Sequence, residues 1–163
     1  MNIEIFLPGL NNPVLVSENK FGKIMDIVGR RFSLNDHGVI HFSFCRPINL
    51  SRYILGLSRF FLKEVDHRNH NQFDLTDENL RLATRAQNER NKRKINKKCS
   101  SIYKGVHFRE DMNKWQATIN IRTKGITKSK YLGCFKTEIE AALEYNKAAI
   151  KYFNEFAYLN IIK

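Results

Sequence analysis

Cysteine is scarce in this chain, with three residues in 163, Cys45, Cys99 and Cys134. An odd number of widely separated thiols supports neither a disulfide framework nor a Cys-x-x-Cys metal site, so no structural zinc is expected. Long hydrophobic runs are missing as well. No stretch approaches the roughly 18 apolar residues of a membrane-spanning helix, and the opening MNIEIFLPGLNN lacks a signal-peptide pattern. A membrane partner is therefore not expected, and the cytoplasm is the expected compartment. Acidic residues are the third shortage. Against 28 Lys plus Arg stand 16 Asp plus Glu, for a net charge of +12 and a pI near 9.8. A chain this basic is expected to meet a polyanion, and nucleic acid fits best.

The length allows one domain or two small ones, and the patterning changes character once along the chain. In residues 1–58, apolar runs at 3–7, 14–16, 24–28 and 39–44 are broken by Pro8-Gly9, Asn11-Asn12-Pro13, Gly22, Gly29 and Asp36-His37-Gly38. That predicts short strands and turns in a small antiparallel β region. Residues 48–57 read as a short helix. His37, His41, His70 and His107 are isolated, and such histidines are commonly polar surface groups.

Residues 65–98 carry the chemistry. Asp66 and His67 close an apolar run formed by Phe60, Phe61, Leu62 and Val65; a polar loop then leads to the strand-like Asn79-Leu80-Arg81-Leu82. A helix is predicted after Thr84, with Gln87 three residues on completing a capping box. A helix packed on such a hairpin would return Asn88 to the side of Asp66. One carboxylate, one amide oxygen and one imidazole would then share a small space flanked by positive charge. Hard oxygen ligands suit Mg²⁺ or Mn²⁺ and leave positions for water and a substrate phosphate. His67 can accept a proton from attacking water near neutral pH. The set implies phosphodiester hydrolysis. A lone Asp-His pair is more often a capped, solvated turn, and it is the flanking pattern that shifts the balance.

That pattern, Asp66-His67, the loop 68–78, Asn79-Leu80-Arg81, Thr84 and Asn88, resembles the HNH nucleases, in the subset found in phage and intron homing endonucleases. The resemblance implies a ββα-metal fold over residues 59–98 within a nuclease domain spanning 1–98. It implies that His67 is the general base, that Asp66 and Asn88 hold one divalent metal per active site, and that Asn79 orients the loop around His67. It also implies a phage-like origin, with a bacterial host cell as the setting. Residues 48–57 resemble the LHR-x-IL-G segment that precedes the Asp-His strand in this subset. Ser51 stands where relatives usually carry His, and the segment is expected to serve in packing.

From position 90 to 98 the chain is strongly basic, with Arg90, Lys92, Arg93, Lys94, Lys97 and Lys98 and no acid. A solvated helix face would account for such a run. Because it continues the helix that carries Asn88, phosphate contact is the better reading for Arg90, Arg93, Lys94 and Lys97. Residues 96–101 read as a linker, so a fragment ending near Lys98 is expected to keep the chemistry and lose site preference. Beyond it, strands are predicted at 103–109, 114–122 and 128–135, followed by a helix over 137–154 that opens on a Thr137/Glu140 capping box. In the middle strand Trp115, Ala117, Ile119 and Ile121 alternate with Gln116, Thr118, Asn120 and Arg122, so one face packs and the other stays polar. The helix offers Ile139, Ala142, Leu143, Ala149 and Ile150 as its apolar stripe, and Trp115, Leu143 and Tyr145 are expected in the core. Three antiparallel strands are narrow enough to enter a DNA major groove.

Tyr103-Lys104-Gly105-Val106, Lys114-Trp115-Gln116-Ala117, Tyr131-Leu132-Gly133-x-Phe135, Glu140-Ala141-Ala142, Tyr145-Asn146-x-Ala148-Ala149 and Leu159-Asn160 together resemble the AP2 domain, a DNA-binding fold. This resemblance assigns residues 99–163 to a DNA-binding domain and implies that Lys104, His107, Arg109, Thr118, Asn120, Ser129 and Tyr131 face DNA. Arg122 joins them from the alternation. The expected fold class is α+β, with a small N-terminal β region, a ββα-metal unit, then a three-stranded antiparallel sheet with a helix. The expected function is metal-dependent cleavage of double-stranded DNA by a monomer that needs no small-molecule cofactor, with the AP2-like module choosing the site. The alternative is a non-catalytic DNA-binding regulator that keeps a decayed HNH fold. A structured-RNA binder follows from charge alone and is weaker, since no RNA-stacking aromatic motif is present. The intact set of Asp66, His67, Asn79 and Asn88 favours the enzyme.

Overall fold

The computed structural model describes residues 1–43, 46–58, 60–94, 99–123 and 125–162. The fold is α+β, built from several small sheets and, among the described residues, four helices. The chain divides into two compact units, Met1–Arg85 and Ala86–Lys163. Patterning places the seam between residues 98 and 99, whereas the compact units part at the start of a helix, because lysine side chains tie the end of that helix to the chain beyond it.

In chain order the first unit contains β1 (Asn2–Ile5), β2 (Val14–Ser17), α1 (Phe21–Met25), β3 (Phe32–Leu34), β4 (Ile40–Ser43), β5 (Pro47–Asn49), α2 (Leu50–Ile54), β6 (Glu64–His67), β7 (Asp74–Leu75) and β8 (Leu80–Ala83). β3, β4 and β5 form an antiparallel sheet and β6 pairs antiparallel with β8. β1 and β2 are antiparallel, but β2 takes β7 as a parallel neighbour, so the N-terminal region is not wholly antiparallel. Two further expectations are corrected. Residues 24–28 form α1 and its exit turn rather than a strand: Ile24 and Ile27 are buried at helical spacing while Met25 is exposed. Phe60, Phe61 and Leu62 stand outside β6, and Leu62 is 98% exposed.

One core binds these pieces, with Val14, Val16, Ile24, Phe32, Phe42, Leu50, Ile54 and Leu75 almost wholly removed from water. Each such side chain contributes about 1.5–3 kcal/mol of transfer free energy. Phe42 meets Tyr53 edge to face at 5.0 Å, which seats α2 on the β4 strand. Asn49 caps α2 by accepting from the Arg52 amide at 2.9 Å. The Arg52 guanidinium donates to the carbonyls of Ser58, Phe61 and Lys63 at 2.7–2.9 Å, fixing the turn that feeds β6.

The second unit takes all but the first residue of α3 (Arg85–Asn91), which follows Thr84 directly, and continues with β9 (Val106–Arg109), β10 (Lys114–Thr123), β11 (Ile126–Phe135) and α4 (Glu138–Phe153). The three strands form an antiparallel sheet in the order β11-β10-β9. The Thr137/Glu140 capping box starts α4 as the sequence predicts. Among the described residues no helix is long and apolar enough to cross a membrane.

The buried stripe of α4 is Ala141, Ala142, Tyr145, Ala148, Ala149 and Phe153. Ile139, Leu143 and Ile150 are instead exposed, Leu143 by 45%. Hydrophobicity alone favours the larger side chains; the small ones are inside because they let the helix lie close to the sheet. Gly105 shows how close. At φ +76° a Cβ there would fall 2.6 Å from the Thr118 carbonyl oxygen and 2.1 Å from the Tyr145 ring. Gly105→Ala is therefore expected to destabilise the chain by at least about 1–3 kcal/mol, read as a lowered Tm; an unchanged Tm would contradict this packing.

Candidate active site and nucleic-acid face

β6 and β8 are in register with Asp66 opposite Arg81 and His67 opposite Leu80. Directly opposed residues share a face, and here the pair is ionic: Arg81 Nε and Nη2 donate to Asp66 Oδ2 at 2.7 and 2.6 Å. Both side chains are buried. An ionised carboxylate left alone there would cost several kcal/mol, and removal of one partner of such a pair costs roughly 3–5 kcal/mol. Arg81 thus compensates the charge of Asp66 inside the protein.

His67 ends the strand and is 6% exposed. Its Nε2 lies 3.3 Å from Ser51 Oγ, which the first turn of α2 presents. The contact sets the ring plane and, when Nε2–H donates, leaves Nδ1 as the basic nitrogen. Burial pulls the His67 pKa from 6.5 to about 4, opposed by the negative charges of Asp66 and Asp74. The imidazole is neutral at pH 7, which is the proton-accepting form.

Asn79 laces the loop between the two strands. Its Oδ1 accepts from the Asn69 amide at 2.9 Å and its Nδ2 donates to the Asp74 carbonyl at 2.7 Å. Asn69 and Asp74 add a side-chain bond of 2.7 Å, and the Asp74 carboxylate also holds Thr76. Such short polar side chains supply the loop with bonds that a regular ladder would otherwise provide. The first unit therefore brings together Asp66, His67 and Asn79. Asn88 is carried by α3 and belongs to the second unit.

Two residues gain a role only from the fold. Sequence reading assigns Ser51 to packing, although its place in a segment resembling LHR-x-IL-G is itself a signal. Arg81 stands within Asn79-Leu80-Arg81 and carries no role in the pattern; pairing the two predicted strands is the step that sets it against Asp66.

The second unit presents a polar face. In β10, Ala117 and Ile119 are buried and Trp115 and Ile121 pack beside them, so Gln116, Thr118, Asn120 and Arg122 point away from α4. Cross-strand partners extend that face: His107 opposite Gln116, Arg109 opposite Lys114, Tyr131 opposite Thr118 and Ser129 opposite Asn120. A register shift after Ala117 makes Leu132 the extra residue and keeps Ser129 and Tyr131 on the polar side. Arg109 is held ready by Asp111, at 2.6 and 2.8 Å, and by Gln116 at 2.8 Å; Asp111 raises the pKa of the guanidinium.

The basic run is less uniform than its composition. Lys92 pairs with Glu89 and Arg93 is exposed, but Arg90 lies 4.8 Å over the Phe153 ring. The Lys94 ammonium donates to the carbonyls of Ser101, Tyr103 and Val106, and that of Lys104 to those of Arg90 and Lys92. Lys97 lies outside the described residues.

The depressed pKa of His67 carries a stability signature. Between pH 6.5 and about 4 the unfolded chain takes up a proton that the folded ring refuses, so the stability present above pH 6.5 is lost as pH falls. In EDTA, urea unfolding at pH 7 and pH 4.5 is expected to show a loss on the order of 2–3 kcal/mol that the His67→Ala chain lacks. An identical loss in both chains would contradict a buried neutral His67.

Among known proteins, the chain is 40% identical over 98 residues, 60% of its length, to an uncharacterized HNH endonuclease of Acanthamoeba polyphaga mimivirus, of which it covers 47%. It is 49% identical over 53 residues, 32% of its length, to two AP2-like ethylene-responsive transcription factors of Arabidopsis thaliana, of which it covers 10% and 9%. The chain thus spans about half the length of the HNH relative and about a tenth of each transcription factor. No family model and no solved structure matches it. The sequence joins similarity to an HNH endonuclease with similarity to AP2-type transcription factors.

Proposed function

We propose that this chain is a metal-dependent DNA endonuclease of the HNH type, in which Asp66, His67, Asn79 and Asn88 form a ββα-metal cutting site. The AP2-like sheet would select the position on double-stranded DNA, in the manner of a homing endonuclease. The observation that carries the reading is the buried Asp66-His67 pair at the end of β6, bonded to Arg81 and Ser51 and followed, after β8, by the helix that bears Asn88.

His67 is neutral at working pH and takes the proton of the attacking water, whose oxygen bonds to phosphorus as the ester P–O bond breaks. Ser51 Oγ holds the ring through Nε2. Asn79 fixes the loop that leaves His67, so the imidazole reacts from a rigid support. Asp66 and Asn88 offer hard oxygens and no thiolate, a donor set that fits Mg²⁺ or Mn²⁺ with water and the substrate phosphate completing the shell. Such an ion, when bound, polarises the phosphoryl oxygen and stabilises the leaving alkoxide. On the sheet, Arg109, Asn120 and Arg122 offer donors to base edges, while Arg93 suits phosphate contact.

The Asp66–Arg81 ion pair is the observation that favours the alternative of a non-catalytic regulator, because it neutralises a carboxylate the metal needs. Cleavage of supercoiled plasmid separates the two. With Mg²⁺ the chain is expected to nick or linearise the plasmid and EDTA to stop it. His67→Ala should slow cutting by roughly 10²–10⁴-fold while leaving DNA affinity unchanged. DNA binding without cutting in Mg²⁺ or Mn²⁺ would establish the regulator, and undiminished cutting by His67→Ala would remove that residue from the mechanism.

A further inference from the structure

The end of α3 is closed by a residue from beyond the helix. The last carbonyls of any helix lack amide partners, and a cation placed there also meets the negative end of the helix dipole. Lys104 meets both needs: its Nζ donates to the Arg90 carbonyl at 2.8 Å and to the Lys92 carbonyl at 2.6 Å. The Tyr158 ring centroid lies 5.4 Å from the same ammonium. Lys94 reaches in the opposite direction, to the carbonyls of Ser101 at 2.9 Å, Tyr103 at 2.8 Å and Val106 at 3.3 Å. The two ammonium groups thus cross, the later residue reaching back and the earlier one forward. Arg90 adds a third tie, with its guanidinium over Phe153 of α4 and 3.5 Å from the Arg122 carbonyl.

A phosphate contact would look different. Lysines that meet a DNA backbone do so with a solvated ammonium on a mobile stem. Lys104 is half-buried, and burial draws its pKa from 10.5 to about 8 against the pull of Glu89. Two of its three donors serve carbonyls of its own chain, so at most one is left for a phosphate.

We propose that Lys104 is a positioning residue for DNA cleavage: by capping α3, the helix that carries Asn88, it makes the AP2-like unit a working part of the nuclease. This role rests on the endonuclease reading of the chain. It gives Lys104 a different task from the DNA contact implied by resemblance to AP2 domains. It also accounts for the grouping of α3 with the second unit, and a fragment ending near Lys98 would lack the cap.

The test uses the full chain with Lys104→Met, Lys104→Gln and Lys104→Arg. Turnover is measured on saturating plasmid DNA with Mg²⁺, DNA affinity by anisotropy in EDTA over a salt series, and hydrogen exchange over residues 85–94 without DNA. For the Met variant, turnover is expected to fall on the order of 10–10²-fold, exchange in α3 to accelerate, and affinity and its salt slope to stay unchanged. Gln, which keeps an uncharged NH2 donor group, should be intermediate in turnover with the same affinity, so the comparison survives if the Met variant does not fold. Arg should restore turnover. Unchanged turnover with weakened affinity and a salt slope smaller by about 0.9 would make Lys104 a phosphate contact and overturn the proposal. Faster exchange with unchanged turnover would overturn it too. A wild-type chain that cuts nothing in Mg²⁺ would instead fail the endonuclease reading, while exchange would still report on the cap.

Discussion

A carboxylate and a guanidinium face one another across two short strands, both out of water, and the candidate site is arranged around that pair. Buried charge tolerates little displacement, so the Asp66–Arg81 bond pins the register of β6 on β8. A slip of one residue would turn Asp66 away from Arg81 and His67 away from Ser51. With the register held, His67 ends its strand against α2, and the loop beyond it is free to be laced by Asn79. The hydrophobic core beneath contributes most of the stability, but it would accept other registers of so short a hairpin less selectively than the ion pair does.

How far this is legible from sequence varies with the kind of interaction. Local signals read well: the Thr137/Glu140 box starts α4, and the alternation through Trp115 to Arg122 sorts β10 into a packed and a polar face. Sequence patterns fail where a distant partner decides. Residues 24–28 are helical and turn-like because Ile24 and Ile27 join a core assembled from strands far along the chain. Leu143 and Ile150 lose the inner face of α4 to alanines because the backbone at Gly105 comes so near, a constraint that no hydropathy pattern carries. In the site, residue types and spacing point to Asp66, His67, Asn79 and Asn88. Their environment, the Arg81 and Ser51 contacts and the depressed His67 pKa, comes only with the fold.

The basic run shows how composition can mislead about individual charges. Read as a stripe, residues 90–98 form a polycationic surface suited to a polyanion. Resolved atom by atom, Lys94 and Lys104 spend their donors on backbone carbonyls, Arg90 rests on an aromatic ring, and Lys92 answers Glu89. The positive charge remains and still favours a polyanion over long range, yet much of it is fixed in place for structural ends. If Lys104 positions α3 for cleavage, the unit that carries the sheet also supports the cutting helix, so the similarity to two kinds of protein need not mean two independent machines.

The proposed cutting chemistry turns on Asp66 and Asn88 holding one divalent ion. Paramagnetic relaxation by Mn²⁺ measures this most directly, with the His67→Ala chain bound to duplex DNA so that a backbone phosphate is present and cutting is suppressed. At low Mn²⁺, the amide signals of Asp66, of the substituted position 67 and of Asn88 are expected to broaden first and together. Broadening that begins instead at an exposed acidic turn such as Glu110-Asp111, with Asp66 and Asn88 unaffected, would contradict a metal held by these two residues.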